Sequence, residues 1–256
     1  MNKLIKAAVF ATVFAIFSPA LILAQAKTKT GVKKARVKVV SRIIRPAVLQ
    51  GRPPASKERL IEISTDFGVM VAKLYDSTPL HRDNFIKLVE QKFYDSLLFH
   101  RVIDQFMIQG GDPTSKNAPA GVPLGSGSAP GERIPAEFKS NIIHKKGVLA
   151  AARDNNPERA SSNCQFYIVQ GKLMPNQELE NVYAQRVKPA NPLFNYTKTQ
   201  KEIYSRIGGT PFLDQSYTVF GEVISGLDVI DKIAKSPKDQ TDRPLQNIRM
   251  KVRLLN

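Results

Sequence analysis

Residues 99–113 read Phe99-His100-Arg101-Val102-Ile103-Asp104-Gln105-Phe106-Met107-Ile108-Gln109-Gly110-Gly111-Asp112-Pro113. Two short β-prone runs, 97–102 and 106–109, flank a polar break at Asp104 and Gln105, and Gly110, Gly111 and Asp112-Pro113 supply turn chemistry where the second run stops. A regular strand would send Phe106 and Ile108 to one face and Met107 and Gln109 to the other. The same short-strand grammar continues outward. Upstream, LIEIST at 60–65 and VMVAKLY at 69–75 flank the turn Asp66-Phe67-Gly68, which predicts a β-hairpin. Thr78-Pro79 then offers an N-cap and an N1 proline to a helix whose buried face carries Phe85, Leu88 and Val89. Downstream, strands are predicted at 147–152, 165–169, 218–223 and 247–254, with a helix over 227–235. Many short strands, few helices and no βαβ alternation point to a closed antiparallel barrel or a sandwich. The stretches 112–146 and 171–217 read as long irregular loops, the second holding a short helix over 199–207 ended by Gly208-Gly209. Loops of that length more often carry a site than not.

Composition bounds the chemistry. The chain has 256 residues, 42% of them apolar and 23% charged, which is ordinary for a globular protein. A lone cysteine, Cys164, leaves no intramolecular disulfide and no thiolate-built zinc site, and His81, His100 and His144 lack metal-ligand spacing. The net charge of +16 is uneven: residues 1–59 hold 13 basic side chains and one acid, a net of +12, and residues 60–256 carry only +4. Within the first segment, Lys3 and Lys6 precede an uncharged run containing AVFATVFAIF, then Ser18-Pro19 and the small-residue end Ala24-Gln25-Ala26. That is the pattern of a signal peptide over 1–26, cut after Ala24 or Ala26, and it predicts export to the periplasm or beyond. Residues 27–59, with Pro46, Pro53 and Pro54, read as a flexible basic tether, a solvated leash with at most weak contact to an anionic membrane surface. Nucleic-acid binding is disfavoured, because no aromatic residues interleave with that charge.

The 99–113 string resembles the signature of the cyclophilins, the cyclosporin-binding class of peptidyl-prolyl cis-trans isomerases. Four further blocks follow in that family's order: Gly147-Val148-Leu149-Ala150-Ala151-Ala152-Arg153, Ser162-Asn163-Cys164-Gln165-Phe166-Tyr167-Ile168, Phe212-Leu213-Asp214 and Tyr217-Thr218-Val219-Phe220-Gly221. The resemblance spans residues 60–256, with an insertion at about 174–211. It implies a mainly β fold, a closed eight-stranded antiparallel β-barrel capped by two α-helices, with the site on the outer face. It implies an isomerase that needs no cofactor or metal, acts as a monomer and takes proline-containing unfolded or partly folded polypeptides.

By the same resemblance Arg101 is the catalytic arginine and Gln109 helps to hold it and binds substrate backbone. Phe106, Met107, Tyr167 and Leu213 form the proline pocket, with Phe212 and Tyr217 at its rim. Ala152, Arg153 and Gln165 line the groove for the preceding residues. That Phe106 and Met107 enter one pocket is carried by the resemblance, against their alternation. Three positions depart from the family's pattern: Tyr167 stands for a phenylalanine, Phe212 for a tryptophan and Tyr217 for a histidine. The missing indole N–H predicts only weak cyclosporin binding. A Ser96, His100, Asp104 triad is disfavoured, since there is no nucleophile elbow; His100 reads as a hydrogen-bonded core residue and Cys164 as a buried apolar filler. The rival function is a binding module that holds proline segments with little turnover.

Overall fold

The computed structural model describes residues 59–255; the signal peptide expected at 1–26 and the tether expected at 27–59, apart from Arg59, lie outside the described residues. The 66–68 turn closes a hairpin of β1 (Arg59–Thr65) and β2 (Gly68–Leu74), in register with Thr65 opposite Gly68. Helix α1 (Pro79–Glu90) follows, and its spacing buries His81, Phe85, Leu88 and Val89 on one side. Thr78 does not cap it. The Glu137 carboxylate does so from across the fold, accepting from the backbone N–H of Leu80 at 3.2 Å and of His81 at 3.0 Å.

Strands β3 (Phe99–Ile103), β4 (Met107–Gly110), β5 (Val148–Ala151) and β6 (Phe166–Val169) come next. The insertion contributes α2 (Asn176–Val182), α3 (Lys188–Ala190) and α4 (Lys198–Arg206). The chain ends with β7 (Val219–Ser225), α5 (Leu227–Ala234) and β8 (Lys251–Leu255). All eight strands join one antiparallel sheet in the order β3-β4-β6-β5-β7-β2-β1-β8.

The expected closed barrel is corrected to a strongly curled sheet. Its edge strands β3 and β8 form no ladder with each other, because they are antiparallel and run apart from a single meeting point that precedes both. The seam is bridged just upstream of both, where Leu98 opposes Arg249 and Met250 N–H donates to Leu97 O at 2.8 Å.

Alternation then sorts the side chains. The concave face collects Ile61, Ile63, Met70, Ile108, Leu149, Phe166, Ile168 and Phe220, and both α1 and α5 insert their apolar faces among them. Phe85 stands at the centre, with ring centroids 4.8 Å from Tyr94 and 5.3 Å from Phe166 and from Phe220. The outer face collects a second apolar cluster built on Met107, Val148, Ala150, Tyr167, Leu213 and Val219. The insertion is not the mostly irregular loop its sequence implied. Its short helices enclose a further core, formed by Met174, Leu179, Val187, Phe194 and Tyr204 together with Ile143 from the 112–146 stretch. Only α4 is long enough to have a readable period, and its start is fixed by a reciprocal Thr197/Gln200 capping box.

Candidate active site

The site lies on the outer face of β3, β4 and β6. On β4, Met107 and Gln109 point outward while Ile108 enters the core. Phe106 escapes this alternation because it is not in the strand. It sits in the 104–106 turn, where Gln105 adopts a left-handed φ of 61° and the Phe106 carbonyl accepts from Gln170 N–H at 3.0 Å and Gly171 N–H at 2.9 Å. The Gln170 side chain locks the turn by accepting from Gln105 N–H at 2.6 Å. Phe106 and Met107 thereby line the same cavity of about 190 Å³. Arg101, Gln109, Ala152, Arg153, Tyr167, Leu213 and Tyr217 complete its lining.

Arg101 reaches the outer face because the β3–β4 register shifts between Phe99 and Arg101, a bulge at His100, which is buried beside the 123–125 loop. Its side chain is 41% exposed, with Nη1 3.5 Å from Gln109 Oε1 and Nε 3.6 Å from Asp242 Oδ2. These are long, loose contacts, which hold the guanidinium in place without using up its donors. The direction of the Gln109 amide follows from a chain of acceptors. Gln165 Nε2 donates to the carbonyls of Gly125 at 2.9 Å and Gly127 at 2.7 Å, groups that can only accept. Gln165 must therefore offer Oε1 to Gln109 Nε2, 3.2 Å away, and Gln109 must turn its own oxygen toward Arg101.

The aromatic residues make the walls. Tyr167 meets Tyr217 edge to face at 6.1 Å, and the Arg153 guanidinium lies 4.6 Å from the Tyr217 ring centroid, with Nε donating to Ser216 O at 3.0 Å. Phe212 does not line the cavity; it packs on Phe106 at 5.5 Å and stays 41% exposed, a rim position. Gln165 is likewise outside that cavity. It lines an adjoining groove of about 750 Å³ together with Gln109, Ala152, Arg153 and the 125–133 loop. Asn163 fastens this loop, accepting from Ala129 N–H at 3.2 Å and donating to Ala129 O at 2.9 Å.

His100 is buried as expected, but neither ring nitrogen finds a hydrogen-bond partner of good geometry among the described residues. Asp104 accepts from Gln170 instead, at 3.0 Å, so no triad forms. Cys164 is buried in the concave core, and burial pushes its thiol up, away from the thiolate. Sequence reading missed His144 and Asp214 behind the cavity and Glu137 under α1. Asp214 lay inside a recognised block, but its partners are 10, 18 and 70 residues away in the chain and left no local signal.

A family model described as cyclophilin type peptidyl-prolyl cis-trans isomerase/CLD matches residues 60–253. A putative peptidyl-prolyl cis-trans isomerase of Staphylococcus aureus strain USA300 is 33% identical over 189 residues, covering 73% of this chain and 87% of that protein. One from Staphylococcus epidermidis strain RP62A shows the same identity and coverage. Among solved structures, a cyclophilin type peptidyl-prolyl cis-trans isomerase of Cryptosporidium parvum superposes with a TM-score of 0.55 at 20% identity, covering 78% of this chain and 99% of that one. The same protein crystallised in the presence of the dipeptide Ala-Pro gives 0.54 at 20% identity, covering 77% and 99%. At that identity the likeness concerns the fold.

Proposed function

The chain belongs to the cyclophilin-type peptidyl-prolyl cis-trans isomerases, and we propose that it turns X-Pro bonds by a hydrogen bond from Arg101 to the twisted imide nitrogen, during the folding of exported proteins. Rotation about a peptide bond is opposed by a barrier of about 18–20 kcal/mol, because twisting breaks amide conjugation. No bond to carbon need form or break, so the site needs no nucleophile. At the twisted geometry the proline nitrogen becomes pyramidal and regains a lone pair, and a donor aimed at it favours that state over either planar ground state.

The observation that carries this reading is the placing of the loosely held Arg101 guanidinium beside apolar side chains in one cavity; the other guanidinium there, that of Arg153, is engaged with the Tyr217 ring and the Ser216 carbonyl. Arg101 lines the same cavity of about 190 Å³ as Phe106, Met107, Tyr167 and Leu213, large enough to admit a pyrrolidine ring. The socket would hold the ring, Gln109 the adjoining backbone, and the groove beside Gln165 the residues preceding proline. The relative crystallised with Ala-Pro supports a proline-containing peptide as the ligand. A charge-assisted hydrogen bond contributes about 1.5–3 kcal/mol, or about one to two decades of rate; desolvation and anchoring supply the remainder.

The test is NMR exchange, or a protease-coupled assay, on an Ala-Pro-Phe peptide with wild type and Arg101→Ala. Wild type should accelerate exchange, and the variant should lose about 10- to 100-fold in kcat/KM. Equal rates for the two proteins would overturn the role of Arg101. No acceleration by wild type would overturn the catalytic reading and favour a binding module.

A further inference from the structure

The hydroxyl of Tyr167, the group that distinguishes it from the phenylalanine usual in this family, opens a buried polar chain behind the socket. It lies 3.0 Å from His144 Nε2. His144 Nδ1 is 2.8 Å from Asp214 Oδ1, which also accepts from His144 N–H at 2.7 Å. The other carboxylate oxygen, Asp214 Oδ2, accepts from the hydroxyls of Tyr204 and Tyr196, each at 2.6 Å. His144 and Asp214 are both 1% exposed.

The direction of this chain is set by its partners. Asp214 is surrounded only by donors, which fill its acceptor sites, so Nδ1 of His144 carries a proton toward it. In the neutral ring Nε2 then presents a lone pair, and the Tyr167 hydroxyl donates to it. Burial holds the Tyr167 and Tyr204 hydroxyls well above the usual phenol range, so both remain donors. The far end of the chain belongs to the insertion: Tyr204 lies on α4 and Tyr196 just ahead of its capping box, and Tyr204 is part of the core that the insertion's helices enclose. The near end belongs to the socket, through Tyr167 and through Leu213, the neighbour of Asp214.

We propose that the 174–211 insertion positions the wall of the proline socket: Tyr196 and Tyr204 act through Asp214 and His144 on the Tyr167 hydroxyl, and so set how tightly the proline ring is held. His144 and Asp214 are positioning residues in this scheme, and it rests on Tyr167 contacting substrate as proposed above. A network that served stability alone would not distinguish a tyrosine from a phenylalanine at position 167 when peptide turnover is measured.

The test is a double-mutant cycle on the full chain. Kinetic constants for the Ala-Pro-Phe peptide are measured for wild type, for Tyr196→Phe with Tyr204→Phe, for Tyr167→Phe, and for all three together. In the Tyr167 background, loss of the two insertion hydroxyls should raise KM about fivefold, the scale of one net hydrogen bond, with kcat within about twofold. In the Tyr167→Phe background the same pair should change KM less than about twofold, because no hydroxyl remains to be held. Equal effects in both backgrounds, or none in either, would overturn the proposal. If the double variant fails to fold, Tyr196→Phe alone, at a half-buried position, enters the same cycle. The 15N resonance of His144 Nε2 gives a second reading without turnover. It should move in Tyr196→Phe, and an unmoved resonance would overturn the coupling even if wild type proved inactive and the socket reading fell.

Discussion

His100 sits one residue from the arginine of the site and is 3% exposed. Burial is the main reason its imidazole is held down to about 4; the Asp112 carboxylate opposes this and Arg101 adds to it. The ring therefore stays neutral beside Arg101 at physiological pH. Between the free value of about 6.5 and the folded value the unfolded chain binds the extra proton and the native chain does not, so stability falls as pH drops through that window. His100 alone accounts for up to about 3 kcal/mol of this loss. His81, also lowered mainly by burial, acts in the same direction. Urea unfolding at pH 7 and pH 4.5 should show a smaller pH-dependent loss in His100→Gln than in wild type, and equal losses would refute the assignment. At the same scale the Gln109 and Gln165 amides show how orientation is inherited. Two backbone carbonyls that can only accept, those of Gly125 and Gly127, dictate which end of each glutamine faces the next group.

Among the elements, α1 depends most visibly on a distant partner. Glu137 occupies the helix start, accepting from two backbone N–H groups, and its Oε2 lies 2.7 Å from His81 Nδ1; His81 Nε2 in turn lies 2.9 Å from Ser161 Oγ. Glu137→Ala should destabilise the protein by about 2 kcal/mol, the upper range for a lost cap, because it also leaves a buried imidazole nitrogen unpaired. Denaturant unfolding checks this, and a loss below about 0.5 kcal/mol would remove Glu137 from the capping role. The insertion meets the segment ahead of β5 by a close backbone approach. Gly209 takes a φ of +154°, and a Cβ there would collide with the His144 carbonyl, so the docking that brings Tyr204 to Asp214 requires glycine at this position.

The whole molecule divides its charge by segment. Of the net +16, +12 falls in residues 1–59 and +4 in the domain that carries the site. We expect a chain beginning at Gln25 or Lys27, as it would if the segment read as a signal peptide is removed, to bind anionic vesicles weakly and to detach as salt rises through about 0.15 M. A chain starting at Arg59 should lose that binding and keep kcat/KM for the peptide; vesicle co-sedimentation beside the peptide assay checks both, and retained binding would place the membrane contact on the domain. Much of this protein was readable from residues close together in the chain. Apolar alternation and turn glycines placed most strands to within a few residues, and the 99–113 string with its four companion blocks identified the family. These are local properties, carried by neighbours. What the local pattern could not supply was which distant groups meet. Phe106 joins Met107 in one cavity because a left-handed turn at Gln105 ends the alternation early. Leu98 bridges Arg249 in place of a closed ladder. Asp214 gathers His144, Tyr196 and Tyr204 into one chain behind the socket. Each depends on register, bulges and loop closure summed over the whole fold, and a residue's own neighbours carry no record of them.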